Sequence, residues 1–382
     1  MMGRTDRHCR YFLRGFSARL LLYTEMIAAA DLARGDCGGL LGFDPKEHPV
    51  ALQLGGCDPR ELAAAARRGE QAGYDEINLN CGCPSDRATG RVFGAYLMRR
   101  PDTVAACVAA IRAAVRVPVT VKMRIGVIEG RGRAAIEASR RFDEAERAAL
   151  CDFVRIVRDA GGEAVIVHAR KAVLGGLSAQ DNREIPPLQY EVVSRVKEAF
   201  PDLQVIVNGG LREPAAILRA LEGLDGIMLG REAYHRPVVL ARLDALVFGA
   251  ATRPGLSRAT RETLEAVVRA RAVERMQSYT ERQLARGEKL SAILRHMQGL
   301  YAGEPGACEF RRILSEGARR PGAGAEVLAQ AAASAEAVSV DAISSEAVSR
   351  DTLHAPRMGL TPARMEANVA ATQRVGAKTI RS

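Results

Sequence analysis

Long hydrophobic segments and metal-binding cysteine patterns are absent from this sequence. None of its apolar runs approaches the roughly 20 residues that a membrane-spanning helix needs, and the N-terminus, MMGRTDRHCRYFLRGF, lacks the basic-then-apolar order of a signal peptide. The eight cysteines are scattered apart from the pair Cys81 and Cys83, without the spacing of a zinc site. These absences predict a cytoplasmic protein with reduced thiols, no membrane contact and no metal.

An extreme composition is absent as well. Hydrophobic residues make up 47% and charged residues 26% of the chain, which excludes a wholly disordered, collagen-like or coiled-coil protein. The 382 residues exceed the roughly 250–300 at which a single core stops growing, so we expect one large domain and a smaller one. The net charge is +10, and residues 253–330 carry half of it, with fourteen Lys and Arg against nine Asp and Glu. This excess indicates an anionic partner.

Seven short Val-, Ile- and Leu-rich runs alternate with Ala-rich segments of helical periodicity. The runs are 21–26, 50–54, 76–80, 119–123, 164–168, 204–208 and 226–230. Each run is typical of a strand buried on both faces. The segments between them, such as 58–73 and 101–115, begin with Asp or Pro and predict amphipathic helices. This alternation indicates βα units and a parallel sheet.

Two architectures agree with seven strands. One is an open doubly wound sheet, and the other is a TIM (β/α)8 barrel whose first strand precedes Met1 and is truncated in this chain. The motifs at the strand ends, described next, favour the barrel. In that architecture residues 1–250 form the barrel domain, and the charged insertion 128–150 is a solvated loop or helix on its rim.

The remainder of the chain has no strand candidate. Residues 251–330 have helical periodicity alone and predict a small C-terminal helical domain. Residues 331–382 are low in complexity and rich in Ala, Ser and Val, without the larger apolar residues that would offset the entropy of ordering. We therefore expect a disordered tail from residue 331.

Polar residues close five of the seven apolar runs. They are Gln53, Asn80, Lys122, His168 and Asn208. In a (β/α)8 barrel the C-terminal ends of the strands face the active-site mouth, so these residues are candidates for the site. One such residue alone is as well explained by a cap or a hydrogen-bond partner in the core.

Glycines follow the last two strands and predict a phosphate site. Gly209 and Gly210 follow one strand, and Gly230 with Arg231 follows the other, where these barrels usually bind phosphate. Glycine lets backbone N–H groups approach phosphate oxygens, and the arginine side chain offers a fork of donors. Glycines after two adjacent strands favour a phosphorylated cofactor over the alternative that each glycine simply ends its strand.

A cysteine lies in the loop just after Asn80 and is followed by Pro. Cys83 is a candidate general acid, because a thiol with an ordinary pKa of about 8.5 is mostly protonated near neutrality. The more common alternative for a cysteine is a small buried hydrophobic side chain, which we expect for Cys81.

Lys122 and His168 would both face the barrel mouth and are candidates for contact with a flavin. A lysine beside a flavin holds negative charge at one edge of the ring, and a histidine can do the same or bind phosphate. The alternatives are a salt bridge for Lys122 and a core hydrogen bond for His168. The loop after residue 168 adds Arg170, Lys171 and Arg183, which form either a phosphate-gripping cluster or an ordinary solvated loop.

At this point the sequence strongly resembles the tRNA-dihydrouridine synthases of the A type. The segments that carry the resemblance include TDRHCRYFLR (5–14), YDEINLNCGCPSDR (74–87), VPVTVKMRIG (117–126), HARKAVLGGLS (168–178), NREIPPL (182–188) and RHMQGLYAGEPGA (295–307). The match spans about residues 1–330. It implies an FMN-binding TIM barrel followed by a tRNA-binding helical domain, and a monomeric enzyme. The implied reaction is NADPH-dependent reduction of the C5–C6 double bond of D-loop uridines, at uridine-20 and uridine-20a.

The resemblance also implies roles for individual residues. Cys83 is then the proton donor to C5, and Asn80 orients the target base. The implied FMN contacts are Met1, Met2, Gln53, Lys122, His168, Asn208, Gly209, Gly210, Gly230 and Arg231. For tRNA it implies Arg183 and Arg295, to which we add Arg311 and Arg312 on electrostatic grounds.

The sequence departs from the family at its N-terminus. Gly3 and Arg4 stand where the family has Asp and Trp, and we expect the true start to lie upstream of Met1. Two other functions stay open at this point: a flavin barrel that acts on a free pyrimidine, and a tRNA-binding protein that holds no FMN. The basic helical segment argues against the first, because a free base has no phosphates.

Overall fold

The computed structural model describes residues 1–35, 39–84, 93–248 and 258–338. Its strands are β1 (Leu22–Ala28), β2 (Val50–Gly55), β3 (Glu76–Asn80), β4 (Val119–Arg124), β5 (Val127–Glu129), β6 (Ala164–His168), β7 (Ala172–Leu174), β8 (Gln204–Asn208) and β9 (Gly226–Met228). The helices of the first part are α1 (Arg7–Leu13), α2 (Ala29–Arg34), α3 (Pro59–Gln71), α4 (Pro101–Ala114), α5 (Gly132–Ala138), α6 (Glu144–Asp159), α7 (Tyr190–Ala199), α8 (Pro214–Leu221), α9 (Arg231–His235) and α10 (Val238–Phe248). They are followed by α11 (Arg258–Leu284), α12 (Leu290–Leu294), α13 (Ala307–Gly317) and α14 (326–338).

Seven strands form one parallel sheet in the order β1-β2-β3-β4-β6-β8-β9. They coincide with the seven apolar runs, so the predicted βα alternation is confirmed. The central strands β2, β3 and β6 are buried along their whole length, as expected for strands covered by helices on one side and by the barrel interior on the other. This is the curled sheet of a TIM barrel, and within the described residues no eighth strand joins β1 to β9.

The first residues of the chain lie near both outer strands. The backbone N–H of Arg4 donates to Glu25 of β1 over 2.9 Å, and its guanidinium lies 4.8 Å from the ring centre of Tyr234 in α9. A Cβ placed on Gly230, just after β9, would lie 3.4 Å from the sulfur of Met1. The N-terminal turn therefore contacts β1 on one side of the gap in the sheet and the segment that follows β9 on the other.

Helices cover the outside of the sheet and pack closely on it. Helix α3 begins at Pro59 with Asp58 as its N-cap, whose carboxylate accepts from the N–H groups of Arg60 and Glu61. A Cβ on Gly69 of this helix would lie 2.5 Å from Leu52 of β2, so the absence of a side chain there allows the helix to approach the strand.

The predicted rim insertion 128–150 is largely helical. It contains α5 and the start of α6, and β5 pairs in parallel with β7 to form a small second sheet that the sequence did not predict. Lys171, beside β7, forms an ion pair with Glu146 of α6 and is fully buried. Lys171 therefore attaches the insertion to the barrel and does not belong to a phosphate-gripping cluster, which corrects that interpretation.

The C-terminal helices contact the first helix. Tyr279 of α11 stacks on Tyr11 of α1 with ring centres 3.9 Å apart, and its hydroxyl lies 2.8 Å from Nδ1 of His8. The predicted boundary near residue 250 lies outside the described residues. The prediction of a disordered tail from residue 331 is wrong for residues 331–338, which belong to α14 and include the buried Ala331 and Ala335. Residues 339–382 lie outside the described part. No helix described here is long and apolar enough to cross a membrane.

Candidate active site

The structure places the five polar run-closing residues along one edge of the sheet. Asn80 pairs in register with Lys122, and His168 with Asn208, at the C-terminal ends of adjacent parallel strands. Gln53 lies at the same edge and accepts a hydrogen bond from Nδ2 of Asn80 over 2.8 Å. The predicted convergence of these residues is therefore present in the fold.

Cys83 is held at this edge by its backbone. Its N–H and that of Gly82 donate to Oδ1 of Asn80 over 3.0 and 3.1 Å. Its carbonyl accepts from the N–H of Ala95 over 2.8 Å, and a Cβ on Gly94 would lie 2.3 Å from the same carbonyl. The chain on both sides of the thiol is thus fixed, while residues 85–92 of the following loop lie outside the described ranges.

Lys122 presents a partly buried cation beside Asn208. Its Nζ donates to Oδ1 of Asn208 over 3.0 Å, and Nδ2 of Asn208 donates to the Met228 carbonyl over 2.7 Å. Loss of hydration, together with the nearby charge of Arg124, lowers the pKa of Lys122 to about 7. An ammonium in such surroundings gains stability from an anionic ligand.

His168 lies against the two glycines that follow β8. A Cβ on Gly209, where φ is +119°, would lie 2.5 Å from the imidazole, and a Cβ on Gly210 would lie 2.3 Å from Leu188. The Tyr190 hydroxyl donates to the Gly209 carbonyl over 2.6 Å and fixes the turn. Burial and the neighbouring cations hold the pKa of His168 well below its ordinary value, so its ring is neutral near pH 7.

Arg124, which the sequence analysis did not select, is the most deeply buried cation of the site. Only 2% of it is exposed, and its Nε donates to the Gly82 carbonyl over 3.1 Å. It also donates to the Asn182 carbonyl over 2.9 Å, and burial lowers its pKa to about 9. The sequence pattern could have indicated Arg124, because it is two residues after Lys122 and therefore lies on the same face of β4.

Three further arginines lie on the β6 and β9 side of the edge. Arg231 donates to the Glu184 carboxylate over 2.7 Å and to the Arg183 carbonyl over 3.2 Å. Arg183, at the end of a short 3-10 helix, is exposed, and partial loss of hydration, followed by the charge of Arg231, lowers its pKa. Arg170 is bound by the carbonyls of Glu184 and Pro186, but its Nε is buried without a hydrogen-bond partner in the described part of the chain.

Met2 and Arg295 lie together on the β1 side. Both line a cavity of about 1290 Å³ that also reaches Cys57 after β2 and Phe93 after the Cys83 loop. Arg295 donates to the Gly3 carbonyl over 3.0 Å, so it links α12 to the N-terminal turn. Met1 lies near Gly230, as described above.

The two arginines added on electrostatic grounds lie on α13. Arg312 is paired with Glu309 and Glu316, and Arg311 contacts the sulfur of Cys308. The charge of Arg312 is therefore already compensated by its own helix. The structure gives no reason to place it in the site.

The residues present fit a phosphorylated cofactor at the ends of β8 and β9. Side chains at Gly209 or Gly210 would fill the space in front of the turn, and positive φ values at both, +119° and +65°, suit glycine. The unpartnered Nε of Arg170 and the partly buried ammonium of Lys122 offer donors for anionic oxygens. This site thus has both the space and the charge that a phosphate requires.

A parallel α/β barrel sheet with cations and a glycine turn at its C-terminal edge is the arrangement with which barrels of this class bind phosphate groups. Comparison with known families gives a match to the family model "Dihydrouridine synthase (Dus)" over residues 1–337. Relatives named tRNA-dihydrouridine(20/20a) synthase include one from Pseudomonas aeruginosa, 48% identical over 82% of this chain and 87% of its own length. One from Vibrio cholerae is 46% identical over 87% of this chain and 94% of its own length. The chain belongs to the dihydrouridine synthase family.

Proposed function

We propose that this protein is a tRNA-dihydrouridine synthase that reduces the C5–C6 double bond of D-loop uridines, at positions 20 and 20a, with FMN and NADPH. The names of the relatives support the substrate. The observation that carries the chemistry is the fixed position of Cys83 beside Asn80, at the sheet edge that also presents Lys122 and His168. A thiol, a partly buried cation and a glycine turn lie within one site.

The residues of the β8 and β9 ends would hold FMN. Gly209, Gly210 and Gly230 leave room for its phosphate, and Arg170 and Arg231 provide charge there. Lys122 and Asn208, with Gln53, His168, Met1 and Met2, complete the proposed contacts. When bound and reduced by NADPH, FMN supplies the hydride for C6 of the uracil ring.

Cys83 would supply the proton for C5 from its Sγ. Asn80 fixes the backbone of this residue through two N–H groups, so the thiol keeps one position relative to the sheet edge. Arg124 lies beside the same loop, where its Nε donates to the carbonyl of Gly82, the residue before Cys83, over 3.1 Å. Asn80 and Arg124 therefore both hold the loop that carries the proton donor.

Phosphate contacts from both predicted domains would bind the tRNA. Arg183 is exposed beside the sheet edge, and Arg295, just after α12, lines the cavity on the β1 side of that edge. Residues 251–330 carry an excess of five positive charges, which suits a tRNA-binding domain attached to a catalytic domain of residues 1–250. The proposal includes a monomeric enzyme in the cytoplasm, where its substrate is found.

Mass spectrometry of tRNA tests the proposal directly. Unmodified tRNA is incubated with the protein, FMN and NADPH, digested to nucleosides and assayed for dihydrouridine. Wild-type protein should produce dihydrouridine, and Cys83→Ala should bind tRNA as tightly but produce far less of it. Absence of any dihydrouridine gain with bound FMN would contradict the proposal, whereas turnover of free uracil would favour a free-pyrimidine enzyme. Tight tRNA binding without any flavin binding would identify a non-enzymatic tRNA-binding protein.

A further inference from the structure

A connected series of buried polar side chains crosses the interior of the sheet below the site. At its lower end, Oε1 of Glu76 accepts hydrogen bonds from the hydroxyls of Tyr23 and Thr120, each 2.6 Å long. Oγ1 of Thr120 in turn accepts from Nδ2 of Asn78 over 2.7 Å. Asn78 is fully buried and Glu76 and Thr120 nearly so, so these groups depend on one another for hydrogen bonds.

The series continues upward to the backbone of the Cys83 loop. Oδ1 of Asn78 accepts from Nε2 of Gln53 over 2.9 Å, and Oε1 of Gln53 accepts from Nδ2 of Asn80 over 2.8 Å. Oδ1 of Asn80 then accepts the N–H groups of Gly82 and Cys83. We call this set, from Glu76 through Thr120, Asn78 and Gln53 to Asn80, the polar ladder.

Every hydrogen bond of the polar ladder points the same way, with the donor on the Cys83 side and the acceptor on the Glu76 side. Because the Thr120 hydroxyl donates to Glu76, only its lone pairs are left to face Asn78, and these require the NH2 group of that amide. The oxygen of Asn78 then faces Gln53, and each later amide follows in the same orientation.

An inverted amide would break this order at the top of the ladder. If Asn80 turned its NH2 group toward Gly82 and Cys83, two backbone donors would face a third donor and lose their acceptor. Leaving buried donors unpaired is costly. The acceptor at the base of the ladder therefore constrains the loop that carries the thiol.

We propose that Glu76, acting through Thr120 and Asn78, is a positioning residue that fixes the amide orientation of Asn80 and thereby the place of Cys83. The role in catalysis rests on the proposed function, whereas the effect on the Cys83 loop does not. Glu76 and Thr120 lie at or below the middle of their strands, so they act through the ladder and not by contact with the substrate.

Substitutions at Thr120 test the ladder with little change of shape. Thr120→Val removes the hydroxyl that connects Glu76 to Asn78, and Thr120→Ser keeps it. Tyr23→Phe is the matched control, because it removes another hydrogen bond from the same oxygen of Glu76 but leaves the ladder intact. Thr120→Ala replaces Thr120→Val if that variant does not fold, as judged by circular dichroism and thermal unfolding.

The first measurement is the rate at which iodoacetamide alkylates Cys83 in flavin-free protein, followed by peptide mass spectrometry. A loosened loop exposes the thiol, so Thr120→Val should react several-fold faster than wild type, while Thr120→Ser and Tyr23→Phe should react at the wild-type rate. This readout does not depend on activity, and it decides the proposal even if wild-type protein makes no dihydrouridine.

The second measurement separates the two half-reactions by stopped-flow absorbance of the flavin. Thr120→Val should slow the oxidation of reduced flavin by tRNA by about tenfold, since small misplacements of a reacting group have effects of this size or larger. It should leave flavin reduction by NADPH unchanged, because that step does not use Cys83. A wild-type alkylation rate for Thr120→Val, or equal effects of Tyr23→Phe, would overturn the proposal.

Discussion

The charge of Lys122 destabilises the ligand-free fold but would stabilise a bound anion. Its ammonium is partly buried, makes a hydrogen bond to the neutral amide of Asn208 and lies near the charge of Arg124. The pKa of about 7 means that the folded chain disfavours the charged form that the unfolded chain carries. An anionic ligand would reverse this penalty.

We therefore predict opposite effects of Lys122→Met on stability and on flavin binding. The flavin-free variant should melt about 2–4 °C higher than wild type, since about 1 kcal/mol corresponds to such a shift in a domain of this size. Its affinity for FMN should fall, as measured by fluorescence titration. The exposed Lys46 provides the control, because Lys46→Met should change neither quantity. A lower melting temperature for Lys122→Met would contradict the prediction.

His168 predicts a loss of stability in mild acid. Burial and nearby cations place its pKa well below the ordinary value of 6.5 in the folded protein. As the pH falls below 6.5, the unfolded chain takes up a proton that the folded chain does not, so the free energy of unfolding falls. Urea unfolding at pH 7.5 and 5.5 measures the loss of unfolding free energy between the two pH values. This loss should be smaller for His168→Asn than for wild type. Equal losses would assign the acid sensitivity to other groups.

The polar site residues that the sequence predicted are those that close an apolar run. Asn80, Lys122 and His168 are visible because a polar residue interrupts an apolar run at a point where the fold class gives it a role. Glu76 and Asn78 alternate with Ile77 and Leu79 within the same run, and this period-two pattern indicates one shared face. Their hydrogen bonds to Thr120 and Gln53 depend on strand register, which no local pattern contains.

At the scale of the element, the turn after β8 is the most sharply constrained part of the site. We predict that Gly209→Ala abolishes FMN binding, because the new Cβ would lie 2.5 Å from the His168 ring and the φ of +119° is unfavourable for alanine. Flavin absorbance of the purified variant and its melting temperature measure the two effects.

Gly223→Ala separates crowding from backbone strain in this test. Gly223 also has a positive φ, +74°, but a Cβ there would meet no atom within 4 Å. The variant should lose some stability and retain FMN. If Gly223→Ala loses the flavin as well, general destabilisation and not the shape of the turn explains the result for Gly209.

The elements that the sequence did not predict are short or packed through small residues. Strands β5 and β7 have three residues each, which is too few for a recognisable period, and their pairing spans a distance of some 45 positions in the chain. Residues 331–338 of α14 fall within the stretch that the sequence predicts to be a disordered tail, because that stretch lacks large apolar residues. Its Ala335 backbone lies so close to Gly306 that a Cβ there would be 2.1 Å away, so close approach replaces side-chain bulk.

At the scale of the whole molecule, the N-terminal segment joins the sheet to the C-terminal helices. Asp6 accepts from Arg295, and its carboxylate lies 2.9 Å from Nε2 of His296. Arg7 pairs with Glu288, and Tyr11 stacks on Tyr279. The same segment reaches Glu25 of β1. Positive side chains of the helices are thus held in fixed places beside the sheet edge. A long polyanion could contact both these side chains and the sheet edge.

The affinity for a polyanion that bridges these places should fall as salt rises, and the fall should be steeper the more phosphates the protein contacts. The slope of log affinity against log salt is about −0.7 to −0.9 per phosphate contacted. Arg183 is exposed beside the sheet edge, so we predict that Arg183→Ala weakens tRNA binding and makes that slope shallower by about one. Arg158 ends α6 at the opposite edge of the sheet, paired with Asp159 and stacked on Phe200, and Arg158→Ala should leave affinity and slope unchanged. Filter binding of tRNA at several salt concentrations measures both, and equal slopes for the two variants would place the tRNA elsewhere.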